Sequence, residues 1–174
     1  MDSSRPLYLV VSGAPTPEEV PELVTLLRTR GWNVTVVSTP MGTRFHDTEQ
    51  LAAAAGEPVR VDFRMPGTGR RLQPPDCVLA CPLTFASVNK FAQGIADTMA
   101  VALLCEMVGY GVPTVVVPKA NPQLFAHPAS QQSLETLRSI PPVTVLHEPD
   151  PLHEGRIPTW RETAEAVESA AGRR

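Results

Sequence analysis

The feature that most constrains this fold is a series of short apolar runs bounded by turn residues and separated by segments of helical spacing. Leu7 to Ser12 reads as a buried strand ending at Gly13, the pattern of a parallel sheet covered on both faces. Thr16-Pro17-Glu18-Glu19 has the form of a capping box with proline at the first helical position. Val20, Leu23, Val24 and Leu27 then lay an apolar stripe along one helical face as far as Gly31, and Asn33 to Ser38 follows as a second strand. The connection is long enough for a right-handed crossover, so the two strands are predicted to be parallel.

The same alternation continues. Asp47-Thr48-Glu49-Gln50 opens an alanine-rich helix ending at Gly56, and Val59, Val61 and Phe63 alternate as a brief strand. Residues 64–75 read as loop. Cys77 to Cys81 is a strand, one or two helices reach about Val108, and Thr114 to Val117 is the next strand. A helix over about Gln123 to Arg138, a strand near Val143 to Leu146 and a final helix capped by Thr159 and Glu162 complete the pattern. The predicted class is α/β, a single-domain Rossmann-like (flavodoxin-like) three-layer sandwich with a mostly parallel sheet. Residues 1–174 form one domain, with its core at about 7–146 and a C-terminal extension over 147–174. A chain of 174 residues buries about two-thirds of its unfolded surface, enough for one sizeable core.

Composition excludes several classes. The net charge of −3 and basic runs no longer than pairs such as Arg70-Arg71 give no electrostatic footprint for nucleic acid. No apolar run approaches the roughly 18 residues of a membrane span, and the N-terminal MDSSRPLYLVVSG reads as a strand instead of a signal peptide. Cys77, Cys81 and Cys105 lie on apolar segments without a CxxC pair, so free buried thiols, a cytoplasmic setting and no metal site are expected.

In an open parallel sheet, ligands bind beyond the carboxyl ends of the strands. Four segments fall there: Ser12-Gly13-Ala14, Ser38-Thr39, Pro82 to Ser87, and Pro118 to Asn121. Gly13 stands alone, so no GxGxxG fingerprint argues for a dinucleotide. Small hydroxyl residues at the first three segments suit the phosphate of a mononucleotide, held by hydroxyls and amides.

The stretch CVLACPLTFASVNKFAQGIADTM, Cys77 to Met99, carries a more specific signal. Pro82, Thr84 and Ser87, followed in step by Lys90, Gly94, Ile95 and Asp97, resemble the PASANT-type loop and G-I-x-D segment of the homo-oligomeric flavin-containing cysteine decarboxylases. Pro118-Lys119-Ala120-Asn121-Pro122-Gln123-Leu124-Phe125, with His127-Pro128-Ala129 after it, resembles the PxMNxxMW substrate clamp of the same family. The resemblance covers roughly residues 7–146. It implies FMN as cofactor, contacted by Ser12, Gly13, Ala14, Ser38, Thr39, Pro82, Thr84, Phe85, Ser87 and Asn89. It implies substrate contacts from Pro118, Lys119, Ala120, Asn121, Leu124, Phe125 and His127.

The implied activity is FMN-dependent oxidative decarboxylation of the C-terminal cysteine of a ribosomally made precursor peptide, giving an aminoenethiol and carbon dioxide. Two family positions differ: Ala86 replaces an asparagine, and Thr68-Gly69-Arg70-Arg71 stands where a histidine is expected. His46, Arg64 and Arg70 are the candidate catalytic substitutes. No cysteine lies in the clamp, which favours an enethiol product over the reduced product of phosphopantothenoylcysteine decarboxylases. The alternatives are a non-catalytic or regulatory FMN-binding subunit, and a phosphopantothenoylcysteine decarboxylase-like or flavin prenyltransferase-like enzyme. By the same resemblance the partners are a precursor peptide ending in cysteine and further copies of the chain, as a homo-trimer or homo-dodecamer with FMN at subunit interfaces.

Overall fold

The computed structural model describes residues 5–69, 71–147 and 157–172. Five strands form one sheet: β1 (Arg5–Val11), β2 (Trp32–Ser38), β3 (Cys77–Leu83), β4 (Thr114–Pro118) and β5 (Val143–Val145). Every neighbouring pair is parallel, in the order β2-β1-β3-β4-β5. This is the flavodoxin-like order, whose topological switch point lies between β1 and β3.

Two-residue periodicity divides the strand side chains between two cores. Leu7, Leu9, Val11, Leu79 and Val115 face a layer made of α1 (Val20–Thr29), α3 (Thr48–Ala55) and α8 (Trp160–Ala171). Tyr8, Val10, Val78, Ala80 and Val116 face α4 (Phe85–Gln93), α5 (Met99–Gly109) and α7 (Pro128–Ser139). Two short helices, α2 (Gly42–Phe45) and α6 (Pro122–Ala126), lie in the connections after β2 and β4. The three-layer α/β reading therefore holds, with parallel pairing throughout. Helix α8 begins with the predicted box, Thr159 and Glu162 capping each other reciprocally. Its Trp160, Ala164 and Val167 are buried in the first layer.

Three local readings change. Helix α1 starts at Val20, not beside Thr16: the Thr16 hydroxyl donates instead to the Glu18 carbonyl in a local turn, and Pro21 occupies the first helical turn. The alternating Val59, Val61 and Phe63 make no strand. Only Arg60 bridges to β2, and Phe63 is largely exposed, so alternation there has no second partner to bury it. The helix predicted over 123–138 is two helices, because Pro128 holds His127 in extended backbone and the helix restarts after it.

Candidate functional site

The connections after β1, β2, β3 and β4 enclose one cavity of about 850 Å³ at the carboxyl end of the sheet. That size lies within the usual range for small-molecule sites. Its floor is laced at the switch point. Ser12 Oγ donates to the Pro82 carbonyl (2.8 Å) and accepts from the Thr84 N–H (2.9 Å), tying the end of β1 to the loop after β3. Ser38 Oγ donates to the Thr39 carbonyl (2.9 Å), and Thr39 Oγ1 accepts from the Gly42 N–H (3.0 Å). Gly42 is confined by this arrangement, since a Cβ there would lie 2.4 Å from Ser38 Oγ and 3.1 Å from the Val11 carbonyl oxygen. Ser12 and Ser38 are thus buried beneath the site, while Gly13, Ala14 and Thr39 line it.

Helix α4 opens into the cavity. Thr84 is its N-cap, its Oγ1 accepting from the Ser87 N–H (3.3 Å) and lying 3.1 Å from the Ser87 hydroxyl. Helix geometry leaves the Phe85 and Ala86 N–H groups without intrahelical acceptors, and the aligned peptide dipoles favour an anion there. Thr84, Phe85, Ala86 and Ser87 all line the cavity, as does Lys90, whose Nζ lies 2.6 Å from Asp97 Oδ2. Apolar walls come from Met41, Phe45, Val101 and Leu124.

The clamp segment forms the β4 flank. Lys119, Ala120, Asn121 and Leu124 line the cavity, whereas Pro118 is buried in β4 and Phe125 stacks on His147 at 4.4 Å between ring centroids. Burial and the nearby Arg138 both push the His147 imidazole below its ordinary value. His127 stands outside the lining, edge-on to Phe85, with Nδ1 accepting from the Ala129 N–H (3.0 Å). Asn89 also lies outside it, and its Oδ1 is shielded from water with no hydrogen-bond partner among the described residues.

The catalytic candidates are dispersed. His46 is buried beneath the β1 loop, Nε2 donating to the Ser12 carbonyl at 3.1 Å, and burial pushes its imidazole below the ordinary value. Arg64 donates to the Thr68 carbonyl (2.7 Å) and lines a separate groove of about 280 Å³ together with Phe63, Arg71 and Glu106. Arg70 lies outside the described residues. No histidine, aspartate or glutamate lines the cavity among the described residues. Sequence reasoning missed Met41, Phe45, Thr98 and Val101. The one available signal is the pair of bulky apolar residues, Met41 and Phe45, in the connection after the second strand.

This arrangement suits a mononucleotide with a flat ring: an anion site at α4, apolar walls, and a glycine where a Cβ would come within 2.6 Å of Met41 Cγ. The sequence profile of the Flavoprotein family matches residues 1–172. The chain belongs to that family. Among curated relatives, this flavoprotein is 29% identical over 143 residues to the coenzyme A biosynthesis bifunctional protein CoaBC of Escherichia coli K12, covering 79% of this chain and 34% of the relative. It therefore spans about a third of the length of that relative. Among solved structures it resembles the FMN-dependent cysteine decarboxylase TvaF of thioviridamide biosynthesis, with a TM-score of 0.74, 22% identity, and 98% and 99% of the two chains covered. It also resembles the FMN-binding protein AtHal3, with a TM-score of 0.79, 18% identity and 98% of each chain covered. At these identities the structural likeness establishes the fold. A flavin is the cofactor class of the family, and the cavity of this flavoprotein has the donors and the walls to receive one.

Proposed function

We propose that this flavoprotein binds FMN and oxidatively decarboxylates the C-terminal cysteine of a ribosomally made precursor peptide, releasing carbon dioxide and leaving an aminoenethiol. The observation that carries the reading is one cavity joining an anion-binding helix terminus, apolar walls and the clamp segment. Bound FMN supplies a two-electron acceptor. The Phe85 and Ala86 N–H groups, with the Ser87 hydroxyl, would hold its phosphate. Met41 and Phe45 would exclude water from the ring, and Ala120 and Leu124 would pack against the peptide's last residues. Both Met41 and Phe45 are about half exposed, which supports a site completed by a second copy, as in a homo-trimer or homo-dodecamer. Free cysteines support a reducing, cytoplasmic setting.

A second reading, an FMN-binding subunit without catalysis, is favoured by one observation. Ala86 presents only a methyl group at the cavity where the family resemblance implies a carboxamide, and no imidazole lines the site among the described residues. Purified protein mixed with a synthetic peptide ending in cysteine separates the two. Loss of carbon dioxide and two hydrogens, read by mass spectrometry, is the expected result. Bound flavin with an unchanged peptide mass supports the second reading, and a colourless protein that takes up no FMN rejects both.

A further inference from the structure

We propose that Lys119, with the Asn121 amide beside it, is the receptor for the substrate's carboxylate and makes the cavity select a free carboxylate over a carboxamide. The inference rests on the decarboxylase reading for its choice of substrate, but its own support is the distribution of charge. Two side chains lining the cavity carry a full charge, Lys90 and Lys119, and both are cations. Lys90 has its counter-ion in Asp97. Lys119 has none among the described residues, and the cavity lining offers no carboxylate to supply one.

The backbone places this cation on the strand next to the one that leads into α4. The Lys119 N–H donates to the Leu83 carbonyl (2.9 Å), fixing the residue at the end of β4, one strand beyond the loop that leads into α4. The helix terminus already offers N–H groups and the Ser87 hydroxyl for a phosphate, so an ammonium at the flank is available to a second anion. Asn121 spends its Oδ1 as the cap of α6, accepting from the Leu124 N–H (2.9 Å). Its Nδ2 protons make no hydrogen bond among the described residues, leaving two neutral donors in the same segment as the ammonium. An ammonium and an amide N–H₂ together match the two oxygens of a carboxylate. Ala120 and Leu124 leave the surroundings apolar, where a charge-assisted hydrogen bond gains strength and an amide in place of the carboxylate would leave the ammonium unpaired.

The test is calorimetric titration of the FMN-loaded protein with a synthetic peptide ending in serine, as the free acid and as the carboxamide. Neither can react, because both lack the thiol. The acid is expected to bind roughly 10- to 100-fold more tightly than the amide. Lys119→Met should abolish that preference, Lys119→Arg should restore most of it, and flavin content, read by absorbance, should be unchanged in both. Equal binding of acid and amide, no binding of the acid, or a preference surviving in Lys119→Met overturns the proposal. So does loss of FMN from Lys119→Met, which would assign the ammonium to the flavin phosphate. Failure of the decarboxylase reading is seen separately, as an unchanged mass of the cysteine peptide with wild-type protein.

Discussion

The floor of the cavity at the switch point and its flank at the end of β4 are built on opposite principles. At the floor, Ser12 and Ser38 are about 1% exposed, and their hydroxyls are spent on backbone groups, Ser12 on the loop after β3 and Ser38 on the adjacent Thr39 carbonyl. At the flank, Lys119 and Asn121 are partly open to solvent and keep donors uncommitted. Hydroxyls that look like ligand contacts in the sequence hold the floor rigid, and the donors left for a ligand lie on α4 and on the clamp. A polar group used to fix a loop is no longer free to bind, because it has a limited number of donors and acceptors.

Ser12→Ala should break this contrast most strongly. It leaves the Thr84 N–H without its acceptor and the Pro82 carbonyl with one donor fewer, so a loss of about 1–3 kcal/mol is expected. A shifted urea midpoint with unchanged slope would check it, and an unchanged midpoint would show that the lacing carries no stability.

The buried His46 sharpens the same floor through pH. Burial lowers its affinity for a proton in the fold, so as pH falls below the ordinary value of 6.5 the unfolded chain takes up a proton that the folded chain refuses. Stability is complete above that pH and declines below it, until the folded protein also protonates. His147 is shifted in the same direction, so the check is the difference between wild type and His46→Gln across urea midpoints from neutral to acid pH. A flatter profile is expected for the variant, and parallel profiles would remove His46 from the floor's energetics.

Lys119→Met should have the smallest effect on folding. The side chain is partly exposed and makes no ion pair among the described residues, so a change within about 0.5 kcal/mol is expected by the same urea measurement. A larger loss would mean the flank is also structural.

Much of this was legible in the chain. The strands announce themselves as apolar runs; Thr84, Ser87 and Lys119 stand out by their place after those runs, Leu124 by the clamp resemblance, and all four line the cavity. The misreadings have a common cause. Alternation at Val59, Val61 and Phe63 is a local pattern that becomes a strand only with partners to bury it. Thr16 competes for its own turn, and Pro128 divides a segment whose composition is helical on both sides.

Sequence by itself determined the α/β alternation, the caps at Asp47 and Thr159, and the order of loops at the ligand end. These depend on periodicity and on hydrogen bonds spanning three residues, which neighbours along the chain decide. Only the tertiary structure decided that His46 lies under the β1 loop, that Ser12 reaches across 70 residues to Pro82, and that Met41 and Phe45 share a cavity with Lys119. Those outcomes depend on which strands become neighbours, and burial or pairing between distant residues leaves no local pattern to read.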